Sequence, residues 1–211
     1  MRKITRRIAV LAIALSIMTV RPVMPANILL GEAGIPGIEM AVYAASTENS
    51  VKSRLDKIAN GSLKYNNSTV LKVGSRFSGT RSSEQCKGYA KNVFYLLFKV
   101  TPGSTSSKPN NHRLNSYSGM KQIATDGSLT ANDAKKMFAN ARPGDFVQMR
   151  RRSTGGSHSA IVYSANSNGV TFLEANTDGR NTIFKNTYSW KKLEEKNIKM
   201  TVYTASNYKL K

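Results

Sequence analysis

The sequence predicts an α+β domain, and three observations carry that prediction. Helical periodicity marks the first part of the chain, strand-like runs follow from Arg142 onward, and glycine- and asparagine-bearing turns separate those runs. The expected arrangement is N-terminal helices packed on an antiparallel β-sheet laid out as a meander, with no internal repeat or second globular domain.

Residues 46–60 read as a short helix, with Val51, Leu55 and Ile58 on one face and Asn60-Gly61 as its stop. Its other face, Lys52, Arg54, Asp56 and Lys57, reads as solvated surface. Residues 61–81 are polar and are expected as loop, with one candidate strand at Val70-Leu71-Lys72-Val73. A second helix is expected over 84–98, with the apolar stripe Tyr89, Ala90, Val93, Phe94 and Leu97. Ser82 or Ser83 can cap it, and Thr101-Pro102-Gly103 closes it. Residues 101–119 form a long loop rich in Ser, Pro, Asn and Gly, in which His112 reads as an exposed loop histidine. Thr130-Ala131-Asn132-Asp133 resembles a capping box opening a short helix through Met137 and Phe138. The turn Arg142-Pro143-Gly144-Asp145 then leads into a strand over 146–149. Arg150-Arg151-Arg152 and residues 153–156 make a basic hairpin connection to a strand over 157–164. The turn at 166–169 leads to a strand over 170–176, Ile183-Phe184 extends the sheet, 190–195 is a helical turn, and 198–204 is the last strand.

Ahead of these elements, Arg2, Lys3, Arg6 and Arg7 form a basic stretch, and residues 8–20 are apolar and uncharged. That run is short for a membrane span and suits the core of a secretory signal. Residues 1–44 are therefore expected as a signal peptide (or signal anchor) and processed segment, cut after Val42-Tyr43-Ala44, with Met24-Pro25-Ala26 as the alternative site. Residues 45–80 then form the N-terminal helix and lead-in, and 81–211 the main domain. A secreted, extracellular protein without a stable transmembrane span after processing is expected, as a monomer.

The formal net charge is +20, and removing residues 1–44 takes away five basic and two acidic residues and leaves +17. Such a field concentrates polyanions and weakens with salt. Specific nucleic-acid binding is not expected, because neither zinc-knuckle cysteines nor an RNA-recognition aromatic motif accompanies the charge. For an exported chain, anionic cell-wall polymers or anionic lipid are the better partners, and plain solubility is the alternative account.

Cys86 is the chain's single cysteine, so it has no internal disulfide partner. Buried inert thiol, intermolecular pairing and reactive thiol are its three readings. Its place in the first turn of a helix favours a thiolate, through the dipole and unpaired N–H groups there. His158 opens a strand whose same-face neighbours are Ala160 and Val162, which leave room for a partner. One hairpin later Glu174 and Asn176, two apart, are expected on one face, where either can accept the imidazole N–H. The set has the nucleophile, base and orienter logic of a cysteine hydrolase. One Cys and two dissimilar His contexts make no zinc site, and no metal or cofactor is expected.

Gln85-Cys86, Arg142-Pro143-Gly144-Asp145, residues 157–162 and Glu174-x-Asn176 together resemble the CHAP family of papain-like cysteine amidohydrolases and peptidases, related to NlpC-type cell-wall peptidases. The resemblance covers about residues 80–180, with His158 following Cys86 by 72 positions and Glu174 following His158 by 16. It implies a papain-like fold, Cys86 as nucleophile, His158 as base, Glu174 as orienting carboxylate with Asn176 assisting, and Gln85 in the oxyanion site. Lys87-Gly88 stand where the family usually places an aromatic, and Ser157 where many members have Gly, which leaves the bond cleaved open. The implied activity is hydrolysis of peptidoglycan amide bonds, in the stem peptide or at the sugar–peptide link. Arg150, Arg151 and Arg152 either meet substrate carboxylates or wall polyanions, or form a solvated hairpin tip. A secreted peptidase acting on proteins and a non-catalytic wall-binding protein are the alternatives.

Overall fold

Helix α1 (Pro36–Ala59) starts earlier than its sequence predicts, yet its buried face is the predicted one, with Val51, Leu55 and Ile58 fully buried. In this computed structural model the described residues are 36–66, 70–78, 85–102, 119–126 and 130–211, and within α1 the side chains are described from Thr47 on. Ser82, Ser83 and His112 lie outside them. The expected cleavage point, Ala44, falls inside α1 of the uncut chain.

Helix α2 (Gln85–Phe98) buries Tyr89, Ala90, Val93, Phe94, Leu96, Leu97 and Phe98. Helix α3 (Ala131–Phe138) opens on the predicted capping box, in which Thr130 and Asp133 each satisfy the other's backbone N–H. Helix α4 (Trp190–Glu195) is capped by Ser189. Six strands make one sheet: β1 (Met120–Asp126), β2 (Phe146–Arg151), β3 (Ser157–Ala165), β4 (Gly169–Ala175), β5 (Ile183–Ser189) and β6 (Ile198–Ala205). Their order is β1-β6-β2-β3-β4-β5, and every neighbouring pair is antiparallel. The fold is thus α+β with a six-stranded antiparallel sheet. Strands β2 to β5 form the expected meander, but β6 returns to lie between β1 and β2.

Alternation along the strands divides the interior into two layers. Phe146, Ile161, Tyr163, Leu173, Ala175, Ile183 and Tyr203 pack with α1 and α2. Val147, Met149, Ala160, Val162, Val170, Phe172 and Met200 pack with α3 and α4. The sheet is therefore covered on both sides, and α3 sits on the face opposite α1 and α2. Val51, Leu55, Leu71 and Phe77 share one core with α2. Residues 70–73 form no strand, although Leu71 is buried. The chain just after them pairs instead with the start of β5, through Gly74 N–H to Ile183 O at 2.8 Å and Phe77 N–H to Asn181 O at 2.8 Å.

The Arg142-Pro143-Gly144-Asp145 turn fixes the sheet against the helices. Gly144 has φ +91°, and a Cβ there would lie 2.9 Å from Leu97 Cδ1 and 3.1 Å from Phe98 and Val51, so the turn needs both the backbone freedom and the missing side chain. Gly144 N–H donates to Val162 O at 2.7 Å, Val162 N–H donates to Asp145 O at 2.8 Å, and Asp145 Oδ2 accepts from Arg142 N–H at 2.7 Å. Burial pushes the Asp145 carboxyl up to about 6, against the pull of Thr204 and Arg142. Among the described residues, no helix is long and apolar enough to cross a membrane.

Candidate active site

Helix α2 lies on β3 and β4 through its buried stripe, which carries its first turn to the start of β3. Cys86 is the second residue of that helix and is half-buried. Gln85 is the first, beside it and also half-buried. The start of β3 is held by a buried pair facing the same layer: Gln148 Nε2 donates to Ser159 Oγ at 2.5 Å, across directly opposed positions of β2 and β3. The Ser159 and Lys87 backbone N–H groups hydrogen-bond the Cys86 sulfur, and so does the His158 ring.

His158 reaches the opposite layer as well. Its Nε2 lies 2.7 Å from Glu174 Oε2, which leaves Nδ1 as the ring nitrogen for Cys86. Strand register makes that contact: Glu174 stands opposite Ala160, one same-face step from His158. The Glu174 side chain is 1% exposed, so both its oxygens must be answered within the protein. They are. Oε1 accepts Asn186 Nδ2–H at 2.8 Å and Tyr188 O–H at 2.6 Å, both from β5.

Electrostatics follow from these contacts. Burial alone pushes the Cys86 thiol up, but the hydrogen bond and charge of His158, with the two backbone N–H groups, outweigh it and hold the thiol below its ordinary value. Burial alone pulls His158 down, but its bonds to Cys86 and Glu174 and their charges raise it to about 9. Glu174, pushed up by burial, is brought below the usual carboxylate range by His158, Tyr188 and Asn186. The Tyr188 hydroxyl is raised by burial and by the Glu174 carboxylate it bonds. Each shift favours the charged form of its group: thiolate at Cys86, imidazolium at His158 and carboxylate at Glu174.

Asn176 does not join that line. It lies past the end of β4 with φ +65°, which breaks the alternation that would place it beside Glu174. Its Oδ1 accepts Asn181 N–H at 3.1 Å and organises the β4–β5 turn. Asn186 and Tyr188 are the residues that sequence reasoning misses. Their i, i+2 spacing on one face of β5 is the available signal, but naming Glu174 as their partner takes the β4–β5 register. Of the three arginines, Arg150 and Arg151 end β2 and Arg152 opens the hairpin, all exposed. Only Arg151 of these lines the cavity beside His158. Among the described residues no three His, Cys, Asp or Glu side chains gather as a metal ion would require.

No protein-family model and no curated protein matches the sequence. Among solved structures, that of Ly7917 is similar at 15% sequence identity with a TM-score of 0.43. The match covers 74% of this chain and 61% of that one, so the chain spans about three fifths of the length of Ly7917.

Proposed function

We propose that this protein is an exported cysteine amide hydrolase of papain-like, CHAP-type organisation that cleaves peptidoglycan. One observation carries the reading: His158 is hydrogen-bonded at once to the Cys86 thiol and, at 2.7 Å, to a buried Glu174. A structural histidine or an inert thiol needs neither the third member nor the charge arrangement.

In the proposed cycle Cys86, its proton already on His158 Nδ1, attacks an amide carbonyl and forms an S–C bond. The backbone N–H of Cys86 at the helix start, with Gln85 beside it, faces the developing oxyanion. As the C–N bond breaks, His158 returns its proton to the leaving nitrogen, and a thioester remains. Water then loses a proton to His158 and attacks the thioester; the S–C bond breaks, the carboxyl product leaves, and Cys86 is again a thiolate beside protonated His158. Glu174 keeps Nε2 protonated throughout, so that Nδ1 does the proton transfer.

The choice of peptidoglycan rests on the motif resemblance, the N-terminal signal pattern and the net charge of +20. The test is digestion of purified peptidoglycan by the wild type and by Cys86→Ala, with mass spectrometry of the fragments. New amine and carboxyl ends made by the wild type alone support the proposal and name the bond. Wall binding without new ends, equal in both proteins, would favour the non-catalytic reading. Cleavage of protein substrates with intact wall would favour a secreted peptidase.

A further inference from the structure

A cavity of about 330 Å³ opens beside the His158–Glu174 pair on the α3/α4 side of the sheet. Met149, Phe172, Leu193 and Ile198 supply its apolar lining, and Arg151 and Lys196 are its two fixed cations. Tyr188 also lines the cavity, and Lys196 lies over its ring. The Lys196 ammonium lies 4.9 Å from the Tyr188 ring centre, and the Arg151 charge acts on the Tyr188 hydroxyl. The walls that carry them are tied together, since Arg151 opposes Ile198 in the β2–β6 register and Arg152 N–H donates to Asn197 O at 3.2 Å.

The charge of this cavity is uncompensated. Among the described residues neither Arg151 nor Lys196 forms an ion pair. The acids on neighbouring α4 are engaged elsewhere, Glu195 with Lys192 and Glu194 with the backbone N–H of Ala131. Glu174, the one acid in the lining, has its oxygens taken by His158, Asn186 and Tyr188. Two cations over an apolar floor fit a group with a short apolar stem and an anionic end.

We infer that this cavity is a subsite for a carboxylate-bearing residue of the substrate, its stem beside Met149 and Ile198 and its carboxylate between Arg151 and Lys196. The inference rests on the proposed hydrolase reading for its place beside the reacting centre. It narrows the substrate to an acidic peptide.

The experiment uses Cys86→Ala protein, so that binding is read without turnover. N-acetyl-alanyl-glutamate with an amidated C-terminus is titrated calorimetrically at low salt against the same peptide carrying glutamine, which removes the charge at nearly constant shape. The acid is expected to bind about tenfold tighter, the scale of a charge-assisted pair. That preference should fall below about twofold when Arg151→Gln and Lys196→Gln are added together, and to an intermediate value with either alone. Equal affinity for the two peptides, a preference that survives the double substitution, or no binding of either at millimolar concentration would each overturn the inference. The readout is independent of hydrolysis: if the wild type cuts no peptidoglycan yet the acid preference appears, the subsite stands and the hydrolase reading falls. If it cuts peptidoglycan and no preference appears, the reverse holds.

Discussion

The two ends of the Cys86–His158–Glu174 line are held by different kinds of force. Cys86 rides on α2, whose seven buried side chains fix it through dry packing against β3 and β4. Glu174 is fixed by hydrogen bonds from Asn186 and Tyr188 on an edge strand, in the layer that also opens to the cavity. Packing places a nucleophile without regard to its charge. A buried carboxylate must instead be met by donors, and those donors set its charge as well as its position. Damage at the thiol end should therefore remove chemistry outright, and damage at the carboxylate end should alter its pH dependence.

Cys86→Ala should give the largest effect, a loss of at least about 10⁴-fold in turnover on peptidoglycan fragments with the melting temperature nearly unchanged. A residual rate close to wild type would end the nucleophile assignment. Glu174→Gln comes next, with kcat down about 10²- to 10⁴-fold and the alkaline limb of the pH–rate profile moved to lower pH. In the wild type that limb should lie near 9, where His158 loses its proton, and the acid limb should follow Cys86 ionisation below the ordinary thiol value. A limb that ignores Glu174→Gln would separate the carboxylate from the base.

Tyr188→Phe removes one of the three hydrogen bonds to Glu174 and should cost roughly tenfold in kcat, as a charge-assisted bond does. The same shift of the alkaline limb should appear in smaller degree; a change in melting temperature without that shift would make Tyr188 merely structural. Arg150→Gln is the smallest expected effect, within about 0.5 kcal/mol in stability and under about twofold in rate, because Arg150 is exposed and does not line the cavity.

Stability should carry the same signature. The His158 value is raised from 6.5 to about 9, so its contribution is complete below 6.5 and is lost as pH rises through about 9. The Glu174 value is lowered, so its contribution is present above 4.5 and is lost as pH falls through the lowered value. Denaturant midpoints measured across pH, in wild type and in Glu174→Gln, report both limbs.

The strands that are hard to read in the sequence explain why part of the site is too. Strand β4 is legible, buried along nearly its whole length as an apolar run broken only by Thr171 and Glu174, but its partners on β5 are not. Strand β5, at the sheet edge, alternates half-exposed and exposed residues after Ile183, so Lys185, Asn186 and Thr187 look like loop. Strand β1 is the other edge, polar and interrupted by a register shift between Gln122 and Ala124, and it is equally hard to read. Asn176 misleads in the opposite way, because its spacing from Glu174 is right for a strand, but its left-handed backbone puts its Oδ1 on the Asn181 N–H while it still lines the cavity beside His158 and Glu174.

By itself the sequence determined what local rules govern: the α2 stripe, the capping box at Thr130, the run of hairpins, and Cys86, His158 and Glu174 as candidates in order. Tertiary structure decided that β6 returns beside β2, that α3 takes the far face, and that Asn186 and Tyr188 satisfy the Glu174 carboxylate. The reason is physical. Periodicity and capping act within a few residues, whereas strand register and the partners of a buried charge are set between segments distant in the chain.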